Sequence, residues 1–298
     1  MSFLALLVAL GLERLFSSRL RVRGPGWLLA YVRGALRSVL RASSGSRLAW
    51  TLGGAVLPGL AVALAIGLLG ADRHGFLWTV LAAVVLFYAL GPRDLQQEVD
   101  EYRAALARGD APAAARVAAE ILEHDARQRR GPVLGSVAEA VFVQANNRLF
   151  GVVFWFVLLG PFGAATFRVT DLLRREALLH AGRVDAPPVA AGVAQDCQRV
   201  HGWLAWLPAR LLALSYGLAG SFEDSFAGWR RYLREESDHF ADANDRLLVH
   251  AGREALGARW TAAPDEAARV GHAVGLVHVA LVAWLAALAA LTLVAWLA

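Results

Sequence analysis

A chain of 298 residues that is 57% hydrophobic, with a mean hydropathy of +0.45 and ten tryptophans, is too apolar for a water-soluble domain, which is typically ~45–50% apolar. The net charge of +5 and pI near 10.1 would suit a nucleic-acid binder, but the arginines gather between apolar runs as the positive-inside bias requires, so lipid and not nucleic acid is the expected partner. Cys197, the single cysteine, excludes an internal disulfide and any cysteine-based metal site.

In chain order, Ser2 to Phe16 reads as a short apolar helix ended by Glu13 and Arg14. It lacks a positive leader and a small-residue cleavage site, so it is expected to stay as a first span or half-span. Arg19, Arg21, Arg23, Arg33, Arg37, Arg41 and Arg47 follow, with Arg33, Arg37 and Arg41 at four-residue spacing and Trp27, Leu28, Tyr31, Leu36 and Leu40 between and around them. That pattern suits a cytoplasmic helix lying along anionic headgroups. Trp50 to Gly70 carries no charge and is the clearest early span, with Pro58 a point where it can kink. A short turn leads to a second apolar helix, Phe76 to Leu90, closing a hairpin.

Gly91 to Gly131 is charged, alanine-rich and helical, and reads as a hairpin outside the bilayer: Gly109 breaks it, Asp110 caps the second helix and Pro112 sits early in it. Leu95, Val99, Tyr102 and Leu106 share one face, which leaves Arg93, Asp94, Glu98, Glu101 and Arg108 as a solvated side.

The stretch from Ser136 to Arg168 organises the rest. A polar, helix-compatible approach carrying Glu139, Asn146, Asn147 and Arg148 leads into a run, Gly151 to Arg168, uncharged until its last residue and long enough for most of a ~30 Å hydrocarbon core. Gly160, Pro161 and Gly163 loosen its far half. Polar groups just ahead of a span point to a site at the membrane face; a bend with an interfacial anchor is the plainer alternative. Glu139, Asn147, Arg148, Arg168 and Arg210 can close such a pocket, against which stands simple snorkelling of the arginines.

Asp171 to Pro188 follows as a polar amphipathic piece whose charges cancel, a non-cytoplasmic candidate. Val189 to Leu207 is another helix, and Pro208-Ala209-Arg210 opens an apolar run to Gly220 that is a full span only if Trp203 to Leu207 joins it. Phe222 to Gly271 looks soluble again. Asp238, His239 and Asp242 within it are weak candidates for a divalent metal, because spacing of four brings such side chains together on a helix, but Arg231 and Arg246 are equally placed to pair with this acidic stretch. Val270 to Ala298 closes the chain as a long apolar helix. The expected architecture is all-α, one polytopic membrane domain over 1–298 with about 4–6 transmembrane or partial helices and soluble helical segments near 91–131 and 222–271. Walker A, Rossmann, His-Glu-x-x-His and Gly-x-Ser-x-Gly patterns are all absent, and no inverted repeat favours a transporter.

Four stretches carry a family resemblance. Gly91-Pro92-Arg93-Asp94-Leu95 with Glu98, Gly109-Asp110 and Ala114-Ala115-Arg116 resembles the soluble hairpin of the CobD/CbiB cobalamin-biosynthesis membrane proteins. Ser136-Val137-Ala138-Glu139 resembles their Ser-Val-Ala-Glu-Asn. Phe154-Trp155 with Gly160-Pro161-Phe162-Gly163-Ala164 and Arg168 is similar to their Phe-Trp, Gly-Gly-x-x-Gly-Ala and Tyr-Arg/Lys, and Leu207-Pro208-Ala209-Arg210-Leu211 to their Ile-Pro-Ala-Arg-Leu. The chain departs from the family where Ala140 replaces an Asn, where an Asp-Gly is missing, where the segment before Trp155 is longer, and where Asp171-Leu172-Leu173-Arg174 replaces Asn-Thr-Leu-Asp.

Those departures, with Glu13-Arg14-Leu15-Phe16 and the Asn147, Arg148, Phe150 approach to Phe154-Trp155, resemble the AmpE branch of the same superfamily. That resemblance implies a multi-pass inner-membrane regulator of β-lactamase induction, without catalysis or cofactor, answering to a cell-wall-derived ligand and linked to an anhydro-muropeptide amidase. The parent family implies instead an amide-forming enzyme using ATP and Mg²⁺ to join an amino-alcohol phosphate to a corrinoid. The candidate ligand pocket comprises Arg93, Glu98, Asp110, Arg116, Glu139, Asn147, Arg148, Arg168 and Arg210, of which all but Asn147 and Arg148 are the retained residues on which the enzyme reading rests.

Overall fold

The structure is a computed structural model that describes residues 26–69, 75–90, 95–123, 135–221, 223, 229–230 and 240–297. The Ser2–Phe16 helix, the first three arginines of the basic segment, Arg93, Asp238 and His239 lie outside the described residues. Within them the chain is helical, with no strand: α1 Gly26–Arg41, α2 Arg47–Leu68, α3 Phe76–Leu90, α4 Leu95–Ala107, α5 Ala111–Ile121, α6 Val137–Ala145, a π-helical turn Asn146–Phe150, α7 Gly151–Leu159, α8 Pro161–Ala181, α9 Val189–Ala219, α10 Phe240–Leu256, α11 Ala258–Thr261 and α12 Glu266–Leu297. Four runs are long and apolar enough to cross a bilayer: Arg47–Leu68, the run beginning at Phe76, Val137–Leu159 and Glu266–Val294. The protein is an all-α polytopic membrane protein.

The organising stretch differs from its reading in the sequence. Gly160 has φ +65°, a left-handed conformation that glycine adopts freely, and Pro161 opens α8 at once, so the uncharged run Gly151–Arg168 is broken and is not one crossing. The crossing starts earlier, at Val137, and Glu139, Gln144, Asn146, Asn147 and Arg148 lie inside it. It tolerates them because 72% of its most apolar window is enclosed by protein, against 17% for Arg47–Leu68, whose Leu57, Leu60, Leu64 and Leu68 stay exposed toward lipid.

Asp171 and Arg174 are likewise not on a surface piece that starts at Asp171. They belong to the continuous helix α8 and are buried. Glu98 is 5% exposed and therefore not on a solvated face of α4, whereas Leu106, assigned to the apolar face, is exposed. The hairpin itself forms as its turn chemistry dictates: Gly109 has φ +69°, and the Asp110 carboxylate accepts from Ala113 N–H at 3.0 Å.

Two prolines sit inside helices that run straight through them. A proline removes the N–H that would bind the carbonyl four residues earlier, and in lipid no water replaces it. For Pro58 in α2 that carbonyl is Gly54 O, and the Tyr31 hydroxyl donates to it at 2.8 Å. For Pro208 in α9 it is Leu204 O, and the Trp155 indole N–H donates to it at 3.0 Å. Pro208 therefore does not divide α9, and the two segments read on either side of it are one helix. Trp155→Phe is expected to cost about 1 kcal/mol by leaving the part-buried Leu204 carbonyl without its donor, and Pro208→Ala in the same protein to return most of it by restoring the backbone bond. Melting of the single and double variants in one detergent checks this.

The chain forms two compact units, residues 1–94 with 147–204 and residues 95–146 with 205–298. In the first, α8 packs against α1, α2, α3 and α7. Val32, Leu36 and Val39 of α1 meet Ala55, Leu173, Ala177, Val193 and Cys197 in one core. The arginine-bearing α1 thus pairs with the first half of α2 and does not lie alone on headgroups. In the second unit α6 is central. Gly252 of α10 abuts the Phe142 ring, which lies 5.4 Å from Tyr216 and 5.9 Å from Trp260, and the Tyr216 hydroxyl donates to the Phe142 carbonyl at 3.2 Å.

Candidate functional site

The second unit builds its polar site on the N-terminus of α6, where unpaired N–H groups and the helix dipole favour negative charge. Ser136 caps the helix by accepting from Glu139 N–H, so Ser136-Val137-Ala138-Glu139 is a capping-box sequence. The Glu139 carboxylate folds back to accept from Gly135 N–H at 2.6 Å and from Arg253 Nη1 at 3.2 Å. A second carboxylate, Glu266 at the start of α12, accepts from Ala138 N–H at 3.0 Å and from Arg269 Nη1 at 3.3 Å. Two carboxylates and two arginines therefore meet at one helix end. The Glu139 side chain is 11% exposed, while Arg253 and Arg269 remain 47% and 39% exposed. The Arg253 guanidinium also sits 5.5 Å from the Trp260 ring.

Arg210 lies elsewhere on this unit. Its guanidinium donates to Asn244 Oδ1 at 3.0 Å and to Trp206 O at 2.9 Å, 4.0 Å from the Trp206 ring. Asn244 and Arg253, the partners of Arg210 and Glu139, are nine residues apart on α10, about 13 Å along its axis. Glu139 and Arg210 are thus held at two levels of one helix, not in a single close pair. Of the other residues expected in the pocket, Asp110 is spent on its helix cap, Arg116 is exposed and Glu98 is buried on α4.

The first unit holds a different cluster, on α8. Asp171 is 1% exposed and accepts from Arg174 Nη2 at 2.7 Å and from Arg168 Nη1 at 3.2 Å, with His201 Nε2 of α9 at 3.7 Å. The Phe167 ring covers His201 at 5.5 Å. Arg168 is the one expected pocket residue in this cluster. Asn147 and Arg148 also belong to this unit, buried in the π turn. Arg253, Glu266, Asn244 and His201 were missed because their partners at these sites are distant in sequence; Arg174 pairs with Asp171 only three residues away, within a stretch whose charges cancel. A usable signal existed only for Glu266, which opens the last apolar helix as acidic residues do.

Among the described residues no group of three or more His, Cys, Asp or Glu side chains is placed to hold a metal. The carboxylate oxygens of Glu139 and Glu266 accept from Gly135 and Ala138 N–H and from Arg253 and Arg269, so they form no dedicated cation cage. Cys197 offers no nucleophile, because burial pushes its thiol up to about 12.

A family model described as CobD/Cbib protein matches residues 6–263. Among curated proteins, the chain is 28% identical over 266 residues to "Cobalamin biosynthesis protein CobD" of Chromobacterium violaceum, covering 86% of this chain and 80% of that protein. It is 31% identical over 211 residues to the protein of the same name from Stutzerimonas stutzeri, covering 70% and 64%. No solved structure matches.

These relatives overturn the expectation of a non-catalytic regulator of β-lactamase induction. That expectation rested on lost polar groups, yet Asp171 and Arg174, standing where the family pattern has Asn-Thr-Leu-Asp, form a buried ion cluster, so polarity at this position is recast and not lost. By the extent of the family match, which runs through both compact units, the chain belongs to the CobD/CbiB family of membrane proteins.

Proposed function

We propose that the chain is a cobalamin-biosynthesis enzyme of the CobD/CbiB type, working in the bacterial inner membrane and joining an amino-alcohol phosphate to a corrinoid carboxylate in an amide bond. The observation that carries this reading is the family match over residues 6–263 together with two curated relatives named for cobalamin biosynthesis. ATP with Mg²⁺ would supply the driving force for condensing a carboxylate with an amine. In the chain itself, Arg253 and Arg269 present half-exposed guanidinium forks suited to phosphate oxygens, and Glu139 and Glu266 orient them through charge-assisted hydrogen bonds.

The test is complementation of a bacterial strain lacking this step of cobalamin synthesis. Cobalamin-dependent growth that requires the chain supports the reading. Absence of growth, with the protein present in the membrane fraction, rejects it.

A further inference from the structure

The pairing of α1 with α2 leaves an open groove of about 480 Å³ between them, within the ~300–1,000 Å³ of small-molecule sites. Its walls are small or apolar: Gly34, Ala35 and Ser38 on α1, and Gly53, Gly54 and Leu57 on α2. Tyr31 closes one end through its bond to Gly54 O, and Trp50 lines the other. A Cβ added to Gly34 or to Gly53 would meet nothing within 4 Å, so both glycines face empty space and do not serve close helix contact.

The groove has a polar and an apolar end. The helices run antiparallel, since Tyr31 bonds Gly54 while Ser38 and Trp50 line the groove nearer the turn that joins them. Toward that turn, Arg41 stands one helical turn beyond Ser38 on the same stripe, with Arg37 beside it. Both arginines are exposed, and neither has an acidic partner among the described residues; Arg37 makes only a bond to its own helix, at Arg33 O. Exposed Ser43 and Ser44 follow in the turn. In the other direction the α2 wall continues from Leu57 into the exposed Leu60, Leu64 and Leu68 of a membrane span.

We infer that this groove is a binding site for one anionic diacyl phospholipid, with an acyl chain seated along Gly34, Gly53 and the α2 leucines and the headgroup phosphate held by Arg37 and Arg41. The charge matches an anionic headgroup and not a zwitterionic one, because two exposed guanidinium groups, with no acidic partner among the described residues, stand where the chain would emerge at the membrane face. The apolar walls and the lipid-facing leucines exclude a soluble anion as the main occupant.

The test uses the full chain purified in detergent, stripped of lipid, then given phosphatidylglycerol or phosphatidylcholine with identical acyl chains and read by native mass spectrometry. The wild-type protein is expected to retain one phosphatidylglycerol, with about tenfold preference over phosphatidylcholine. Gly53→Leu fills the groove and is expected to abolish retention of both lipids while leaving the melting temperature of the stripped protein unchanged. Gly34→Leu fills it from the opposite wall and serves if the first variant folds poorly. Arg37→Gln with Arg41→Gln is expected to erase the preference. Equal retention of the two lipids by wild type, or undiminished phosphatidylglycerol on a folded groove-filling variant, overturns the inference.

Discussion

Asp171→Ala is expected to be the most damaging single substitution in the first unit, lowering stability by roughly 3–5 kcal/mol, the usual cost of breaking a buried ion pair by removing one partner. The carboxylate is 1% exposed and is the anion shared by Arg168, Arg174 and His201, whose side chains are themselves only 7–12% exposed. Removing it leaves positive charge concentrated in the core of α8 without that counter-ion. A marginally stable membrane protein has little margin for such a loss.

Asp171→Asn keeps the shape and one acceptor oxygen, and is expected to fall between alanine and wild type. The control is Arg33→Gln, which breaks a pair with Glu176 in which the arginine is 63% exposed; a pair so exposed to solvent contributes little. Folded yield and melting temperature in detergent check the series. A melting point for Asp171→Ala no lower than that for Arg33→Gln would show that the cluster is not structural.

In the second unit the largest effect is expected on function. Glu139→Ala removes the acceptor of Gly135 N–H, an anion at the start of α6 and the partner that aims Arg253, so cobalamin-dependent growth should be lost in the complementation assay. Arg210→Ala breaks the bond that ties α9 to Asn244 of α10 and should also impair growth. Asp242→Ala, at a half-buried position near the start of α10, should grow as wild type. Equal growth of all three variants, at equal protein level, would remove the α6 terminus from the functional site.

The apolar spans were legible in the sequence because uncharged runs such as Trp50–Gly70 have no other stable environment. The hairpin was legible because Gly109, Asp110 and Pro112 each act on backbone within a few residues of themselves. What escaped was any feature whose partner is remote. Asp171 bonds Arg168 and Arg174 three residues away, but only the fold brings His201 of α9 to it and buries the cluster. Trp155 stood in one motif stretch, and nothing in it announced that its indole donates to Leu204 O, the carbonyl that Pro208 leaves without a backbone donor.

The segment before Trp155, longer than in the family pattern, contains the π turn at Asn146–Phe150. A wider turn accommodates added residues without ending the helix. At the site, the Ser-Val-Ala-Glu stretch was legible as a motif and its capping geometry follows from that spacing, but its outer partners Arg253 and Glu266 required the fold.

The two helix-internal prolines have a consequence for inheritance. Tyr31 with Pro58, and Trp155 with Pro208, each form a lock whose halves sit on different helices. A descendant that drops the aromatic strands an oxygen in oil, while one that drops the proline frees its partner to drift. Such couples should therefore be gained and discarded jointly, leaving a paired imprint in lineages whose surrounding residues have changed beyond recognition.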